Sequence, residues 1–262
     1  MRLAFWRKPP IPVLELHGLL AARPGALNIA NLAPLIDRAM AAAGKGGTLL
    51  LDIQSPGGSP VQSDLIAARI RRRAEEKGVR VVAVIGEVGA SGGYWLACAA
   101  DEIVANAMSI VGSIGVIGGG FGVGGALARL GVERRLYTAG TNKARLDPFS
   151  PEKPEDVAFV RVLLDDLHAR FKDWVRERRA GRLRAAEETL FDGGWMLGAR
   201  AAEVGLVDRL GDLDSVLREI GGAKARPYVV RPRRRGLLAR LPRMLAAEII
   251  AAMEEAGLPR LS

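Results

Sequence analysis

Cysteine, histidine and aromatic residues are scarce in this sequence, and each shortage argues against a class of protein. The single cysteine, Cys98, cannot form an internal disulfide, so nothing in the sequence requires an oxidising compartment. It lies in the apolar run 95–100, where we expect a buried, unreactive thiol. Only two histidines are present, His17 and His168, and neither lies in a glycine-rich loop, so a Ser-His-Asp triad has little support. Aromatic residues make up 5% of the chain, while alanine, leucine, valine and glycine are abundant, which favours an α/β protein over an all-β sandwich.

Long apolar runs are also missing. Residues 1–10 lack the apolar core of about 7–15 residues that defines a secretory signal peptide. No stretch approaches the ~20 uninterrupted apolar residues of a membrane span. We therefore expect a protein that is cytoplasmic or peripheral to the membrane.

Acidic residues are outnumbered, and the net charge is +9. Basic clusters occur at 69–73, 176–184 and 231–235, but they lack interleaved aromatic residues and any recognisable nucleic-acid-binding motif. We expect no nucleic-acid partner. A solvated basic surface, or attraction to anionic lipid, is favoured instead.

Strand-like and helix-like segments alternate along the chain. Strands are predicted at 11–16, 48–53, 79–85, 102–105, 109–114, 133–137 and 227–231. Helices are predicted at 28–43, 61–77, 124–130, 155–179, 198–204 and 213–220, and a further helix is predicted to begin near Ser91. Residues 138–154 form a long polar loop between them. This rhythm predicts an α/β fold with a largely parallel sheet and right-handed βαβ crossovers.

The chain is predicted to form one domain over residues 1–231, followed by a basic segment and an amphipathic helical tail over 232–262. In the tail, apolar residues such as Leu237, Leu241 and Leu245 recur at helical spacing. Packing against the body of the protein or a neighbouring subunit is favoured over contact with a membrane surface.

Two glycine-rich turns follow predicted strands, where ligands bind in open α/β sheets. The first, Ser-Pro-Gly-Gly at 55–58, lets a ligand approach backbone N–H groups closely. The second places Ser91 between small residues at a strand-to-helix turn, which exposes its hydroxyl. Taken alone, Ser91 is more simply explained as a helix cap.

A serine nucleophile needs a base, and Lys143 in the 138–154 loop is a candidate. Most loop lysines are merely solvated. A lysine can act as a base only if burial or nearby positive charge lowers its pKa from ~10.4 towards 7–8.

Together these motifs resemble the S49 family of signal peptide peptidases (protease IV, SppA/SohB type) in its short single-domain form. The motifs at 55–58 and 89–94 are followed in order by Gly-Ser-Ile-Gly at 112–115, by Lys143 with Asp-Pro-Phe at 147–149, and by the segments 192–194 and 205–208. The similarity extends from about residue 13 to 217. It implies a ClpP/crotonase-like fold and a Ser-Lys dyad.

The resemblance also implies roles for individual residues. Ser91 would be the nucleophile, Lys143 the general base, and Ser113 the hydroxyl that orients the lysine. The backbone N–H groups of Gly58 and Gly92 would form the oxyanion hole. The family further implies a homo-oligomer, commonly an octamer, in which the lysine can come from a neighbouring subunit.

We therefore expect a serine endopeptidase that cleaves unfolded or apolar peptides, such as signal peptide remnants, through an acyl-enzyme and without metal or cofactor. Two other hypotheses stay open. A crotonase-type acyl-CoA enzyme would use the same pair of backbone N–H groups but leaves Ser91 and Lys143 unexplained. An inactive scaffold at membranes would use only the basic surface and the tail.

Overall fold

The structure is a computed structural model that describes residues 10–232. The strands are β1 (Ile11–His17), β2 (Thr48–Ser55), β3 (Arg80–Ala90), β4 (Glu102–Ala105), β5 (Ile110–Gly112), β6 (Trp195–Leu197), β7 (Arg209–Leu210) and β8 (Pro227–Val230). The helices are α1 (Ile29–Ala43), α2 (Pro60–Lys77), α3 (Gly92–Ala97), α4 (Gly124–Arg129), α5 (Pro154–Arg178), α6 (Glu187–Leu190), α7 (Gly198–Glu203) and α8 (Leu213–Gly221).

These eight strands form one sheet in the order β6-β5-β3-β2-β1-β8, with β4 joined to β3 and β7 to β4. All pairings are parallel except the one between β5 and β6. The expected α/β fold with a largely parallel sheet is therefore confirmed.

The central strands are apolar on both faces, as a sheet covered on two sides requires. On β2, Leu49 and Leu51 belong to a large core cluster that includes residues of α1, α2 and α3. Leu50 faces the opposite side, in a smaller cluster with Val216 of α8. Helices α1, α2 and α3 therefore pack against the strands that carry the glycine-rich turns.

Local signals set the ends of α1 and α2. The side chain of Asn28 accepts a hydrogen bond from the N–H of Asn31 and caps α1. Ser59 caps α2, and Gly78 ends it in the left-handed conformation at φ 61°. The predicted bounds of these two helices are correct to within one residue.

Three strand predictions need correction. The strand predicted at 79–85 continues to Ala90, because residues 88–90 pair with β5. The strand predicted at 109–114 stops at Gly112, where the φ of 52° at Ser113 breaks the extended conformation. The strand predicted at 133–137 is wrong: those residues are irregular and exposed, since no neighbouring strand pairs with them.

Two of the basic clusters engage acidic side chains. In the cluster at 69–73, Arg69 and Arg73 both pair with Asp37, and in the cluster at 176–184, Arg176 pairs with Glu187 and Arg179 with Asp208. Within residues 10–232, no helix is long and apolar enough to cross a membrane. Apart from residue 232, the predicted tail at 232–262 lies outside the described residues.

Candidate active site

Three neighbouring strands end side by side at the carboxyl edge of the sheet. Ser55 of β2 pairs with Gly89 of β3, and Ala90 of β3 pairs with Gly112 of β5. The turns that follow these strands therefore meet at one edge, where ligands bind in open α/β sheets.

Ser91 connects β3 to α3 in a backbone conformation that is rare for a residue with a side chain. Its φ is 51° and its ψ is −124°, a region whose occupation costs on the order of 1–3 kcal/mol. Its N–H donates to the carbonyl of Gly112 at 2.8 Å, and its carbonyl accepts from the N–H of Trp95 at 3.0 Å. The side chain makes no capping hydrogen bond to α3, so the interpretation of Ser91 as a simple helix cap is wrong. The strained backbone presents a hydroxyl that the helix does not use.

Gly58 lies in a turn pinned by Leu20. The N–H of Leu20 donates to the carbonyl of Gly57, and the N–H of Ser59 donates to the carbonyl of Leu20, both at 2.8 Å. Because adjacent peptide groups in an extended segment point in opposite directions, the N–H of Gly58 is directed away from Leu20. Among residues 10–232 it has no hydrogen-bond acceptor, and Gly58 is exposed.

Gly57 brings this turn against the Ser91 turn. A methyl group on Gly57 would lie 2.6 Å from the backbone nitrogen of Gly92 and 2.8 Å from Cβ of Ser91. The φ of 99° at Gly57 is also one that favours glycine. Only glycine at position 57 allows the two turns to approach this closely, and sequence reasoning gave Gly57 no role of its own.

Gly92 is the first residue of α3, so its N–H has no acceptor within the helix. A side chain at this position would collide with Oγ of Ser63 and lie 2.9 Å from Cδ1 of Leu20. The N–H groups of Gly58 and Gly92 therefore belong to two turns in direct contact. Two such donors are what a tetrahedral oxyanion needs.

Ser113 follows β5 as Ser91 follows β3, and the strand register sets the two serines side by side. Adjacent strands lie about 4.8 Å apart. The backbone of Ser113 also has a positive φ, 52°, and its N–H donates to the carbonyl of Gly194 at 2.6 Å. On the next residue, the carbonyl of Ile114 is hydrogen-bonded to Nε2 of His168 on α5 at 3.0 Å. Ser91, Ser113, Gly58 and Gly92 are thus gathered at one edge of the sheet.

Lys143 forms no hydrogen bond with this group of residues. It occupies an exposed turn, and its N–H donates to the carbonyl of Gly140 at 3.2 Å. Within the described part of this single chain, no hydrogen bond or ion pair involves its side chain, and none joins it to Ser91 or Ser113. The role of Lys143 stays a prediction.

The two histidines have partners other than Ser91. Nε2 of His17 lies 2.8 Å from Oδ2 of Asp52, and His168 is bound to the carbonyl of Ile114 as described above. Over residues 10–232, neither imidazole is hydrogen-bonded to a serine. A Ser-His-Asp triad is not formed among these residues.

Buried polar contacts hold α3 in place behind Ser91. The hydroxyl of Tyr94 donates to the carbonyl of Leu206 at 2.8 Å. Arg179, almost fully buried, donates to the carbonyl of Gly205 and to Asp208, each at 2.8 Å. Cys98 at the end of α3 is fully buried, and burial raises the pKa of its thiol to about 12, in agreement with an unreactive cysteine. No local sequence signal indicates these contacts, because their partners lie far apart along the chain.

Comparison with known proteins gives this site a family context. Residues 73–225 match the sequence model described as peptidase family S49. A protein of Brucella abortus named Na(+)/H(+) antiporter NhaA is 46% identical over 235 residues, which cover 88% of this chain but 31% of that protein. A putative protease of Synechocystis sp. is 37% identical over 62% of this chain and 58% of its own length. A putative signal peptide peptidase SppA of Enterococcus faecium is 31% identical over 65% of this chain and 50% of its own length.

Proposed function

Because the chain belongs to peptidase family S49, we propose that it is a serine endopeptidase in which Ser91 is the nucleophile and Lys143 the general base. Family membership and the protease names of its relatives support peptidase activity. The observation that carries the assignment of Ser91 is its strained strand-to-helix turn, with a hydroxyl that does not cap the helix and lies beside two N–H donors.

In the proposed reaction, the scissile carbonyl carbon lies against Oγ of Ser91, with its oxygen facing the N–H groups of Gly58 and Gly92. The neutral amine of Lys143, oriented by the hydroxyl of Ser113, takes the proton from Ser91 as Oγ attacks. The C–N bond then breaks, and the lysine gives that proton to the leaving amine. Water, deprotonated by the same lysine, hydrolyses the acyl-enzyme and restores Ser91. Every group in this cycle is an amino acid of the chain, so the proposal needs no metal or cofactor.

The proposed substrates are unfolded or apolar peptides, such as signal peptide remnants. Exposed apolar side chains on the edge strand next to Ser113 support this class. Trp195, which pairs with Gly112, is 67% exposed, and Leu197 on the same strand is 43% exposed. The Enterococcus faecium relative, named a putative signal peptide peptidase, supports the same class of substrate.

Cleavage of casein and of leucine-rich peptides by the purified chain tests this function. Ser91→Ala should abolish cleavage, while Thr189→Ala, which removes an exposed hydroxyl on α6, should not. Equal cleavage by the wild type and the Ser91→Ala variant would refute the assignment.

We further propose that the chain works as a homo-oligomer, with an octamer as the expected assembly. Within the described chain, no residue from 115 to 155 is buried, although the segment is rich in large apolar side chains. Ile117 is 96% exposed, and Phe121 and Tyr137 are each 88% exposed. Fixing the conformation of 41 residues costs entropy that burial of their apolar side chains would offset. We therefore infer that a second copy of the chain covers this surface. Sedimentation of the wild type and of Phe121→Asp tests this: the variant should dissociate.

The distance between anchor points on α5 favours a lysine supplied by a neighbouring subunit. The Lys143 loop is fastened to Asp156, and the Ser113 turn to His168. These residues are twelve positions, or roughly 18 Å, apart along the helix axis. A mixture of inactive Ser91→Ala and inactive Lys143→Ala should therefore regain activity. A mixture that stays inactive would contradict sharing between subunits.

Two alternative functions make different predictions for the same site. A crotonase-type acyl-CoA enzyme would use the Gly58 and Gly92 donors but would not be acylated on Ser91, so covalent labelling of Ser91 by a fluorophosphonate excludes it. An inactive scaffold would neither cleave peptides nor respond to Ser91→Ala. Family membership and the strained Ser91 backbone favour the peptidase over both.

We propose a location in the cytoplasm or at the membrane surface, without nucleic-acid partners. The net charge of +9 favours attraction to anionic lipid. Flotation with vesicles that contain phosphatidylserine, compared with neutral vesicles, tests this contact. This chain matches only 31% of the Brucella abortus protein named as an antiporter, so that name is no evidence of transport activity here.

A further inference from the structure

We propose that Asp156 is a positioning residue for Lys143, acting through Arg145 and the backbone of Leu146. This inference rests on the proposed role of Lys143 as the base. It concerns how a loop with no buried residue can still hold an amine in a reproducible place.

One residue in the first half of α5 is buried, and it is a carboxylate. The buried residues of this helix are Asp156, Phe171 and Val175. Asp156 is 7% exposed, whereas its neighbour Glu155 lies in solvent. Burying a carboxylate is unfavourable unless it is paired and hydrogen-bonded, so the partners of Asp156 define what it does.

Both side-chain partners of Asp156 lie in the Lys143 loop. The N–H of Leu146 donates to Oδ2 of Asp156 at 3.3 Å. Nε of Arg145 lies 3.4 Å from Oδ1. The two contacts fasten adjacent residues of the loop to one carboxylate, two and three positions after Lys143.

Arg145 is held from a second side by Phe159, one turn further along α5. Its guanidinium carbon lies 4.4 Å from the centroid of the Phe159 ring, which is within cation–π range. Arg145 is thus enclosed between a carboxylate and an aromatic ring of the same helix. Arg145 is therefore held by two residues of α5, and the hydrogen bond of Leu146 to Asp156 holds the next residue of the loop.

Leu146 has a φ of 56°, a conformation that an unsupported leucine seldom adopts. Such a conformation persists where the surroundings over-determine it. Here the hydrogen bond to Asp156 lies on one side, and on the other Asp147 accepts hydrogen bonds from the N–H of Phe149 and the hydroxyl of Ser150. The turn that carries Lys143 is therefore held in place by the residues that directly follow it.

Without the Asp156 contacts, residues 145 and 146 would move more freely. The amine of Lys143 would then leave the position from which it acts on Ser91. A misplacement of about 1 Å can lower a rate by roughly 100-fold. We expect Asp156→Ala to lower kcat between about 10-fold and 100-fold, with KM changed less than about threefold, because the peptide-binding edge is untouched. Asp156→Asn, which still accepts from Leu146, should lose less activity.

Glu155→Ala is the matched control. It removes a carboxylate from the same first turn of α5, and so has the same effect on the helix dipole, but among residues 10–232 no hydrogen bond or ion pair joins the Glu155 side chain to the loop. Its kcat should stay within about twofold of the wild type. If Asp156→Ala does not fold, Arg145→Ala replaces it, with Arg161→Ala on the exposed face of α5 as control.

A double-mutant cycle separates positioning from a general loss of structure. If Asp156 acts through Lys143, Asp156→Ala should not further lower the residual rate of Ser91 labelling by a fluorophosphonate in a Lys143→Ala background. Additive losses, or an Asp156→Ala variant as active as Glu155→Ala, would overturn the positioning role. Failure of the dyad itself is distinguishable, because Lys143→Ala would then keep wild-type activity.

Discussion

The contact between the Gly57 turn and the Ser91 turn gives a sharp prediction: Gly57→Ala should impair catalysis far more than it impairs folding. The new methyl group would lie 2.6 Å from the nitrogen of Gly92 and 2.8 Å from Cβ of Ser91. Ordinary contacts of this kind are about 3.5–4.0 Å long, so the turns must separate by roughly 1 Å. That movement would pull the N–H of Gly58 away from Ser91 and from the N–H of Gly92.

The magnitudes follow from the two effects taken separately. An alanine at a φ of 99° costs about 1–2 kcal/mol of unfolding free energy through its backbone alone. Loss of alignment with an oxyanion donor lowers kcat by roughly 100- to 1000-fold. Gly222→Ala is the matched control: its φ is 82°, and a methyl group there meets no atom within 4 Å.

Urea unfolding and peptide cleavage, measured on both variants, separate these effects. Both should lose a similar backbone contribution to stability, and only Gly57→Ala should lose activity. A Gly57→Ala variant that retains kcat within about threefold of Gly222→Ala would refute the assignment of Gly58 and Gly92 as oxyanion donors.

Three further predictions concern the support of α3. Cys98, with a pKa of about 12, should resist iodoacetamide at pH 8 in the folded protein and react only after unfolding; rapid native labelling would contradict its burial. Tyr94→Phe should lower the unfolding free energy by about 1–3 kcal/mol, because the buried carbonyl of Leu206 loses its donor; an unchanged urea midpoint would argue against that bond. Burial alone would raise the pKa of Asp208, but the hydrogen bond from Arg179 lowers it overall. The stabilisation is therefore present above the ordinary pKa of ~3.9 and is lost as pH falls through the lower folded value. The stability difference between the wild type and Asp208→Asn should shrink below about pH 4, and a pH-independent difference would contradict this.

The sequence was sufficient for features that depend on neighbouring residues. Helix α2 shows this, since Ser59 and Gly78 mark its ends with local capping chemistry. The position of Ser91 between a strand and a helix also follows from the glycines around it. That its side chain does not cap the helix could not be predicted, because only the backbone angles distinguish a strained turn from an ordinary N-cap.

Features that depend on distant residues were not predictable. Leu20 pins the Gly58 turn from 38 positions away, and nothing near Leu20 indicates it. In the sequence, Asp156 is an ordinary acidic residue in the first turn of a helix. Only the structure shows that residues 145–146 contact it. A strand at 133–137 would also need a partner strand, and none is adjacent among the described residues.

The most direct test of Ser91 and Lys143 as nucleophile and base is the rate at which a fluorophosphonate labels Ser91, with the label located by mass mapping. In the wild type we expect a single adduct on Ser91. Lys143→Ala should slow labelling by about 100-fold or more, whereas Lys153→Ala, a change in the same loop, should not. An adduct elsewhere, or equal rates in the wild type and the Lys143→Ala variant, would contradict the Ser-Lys dyad.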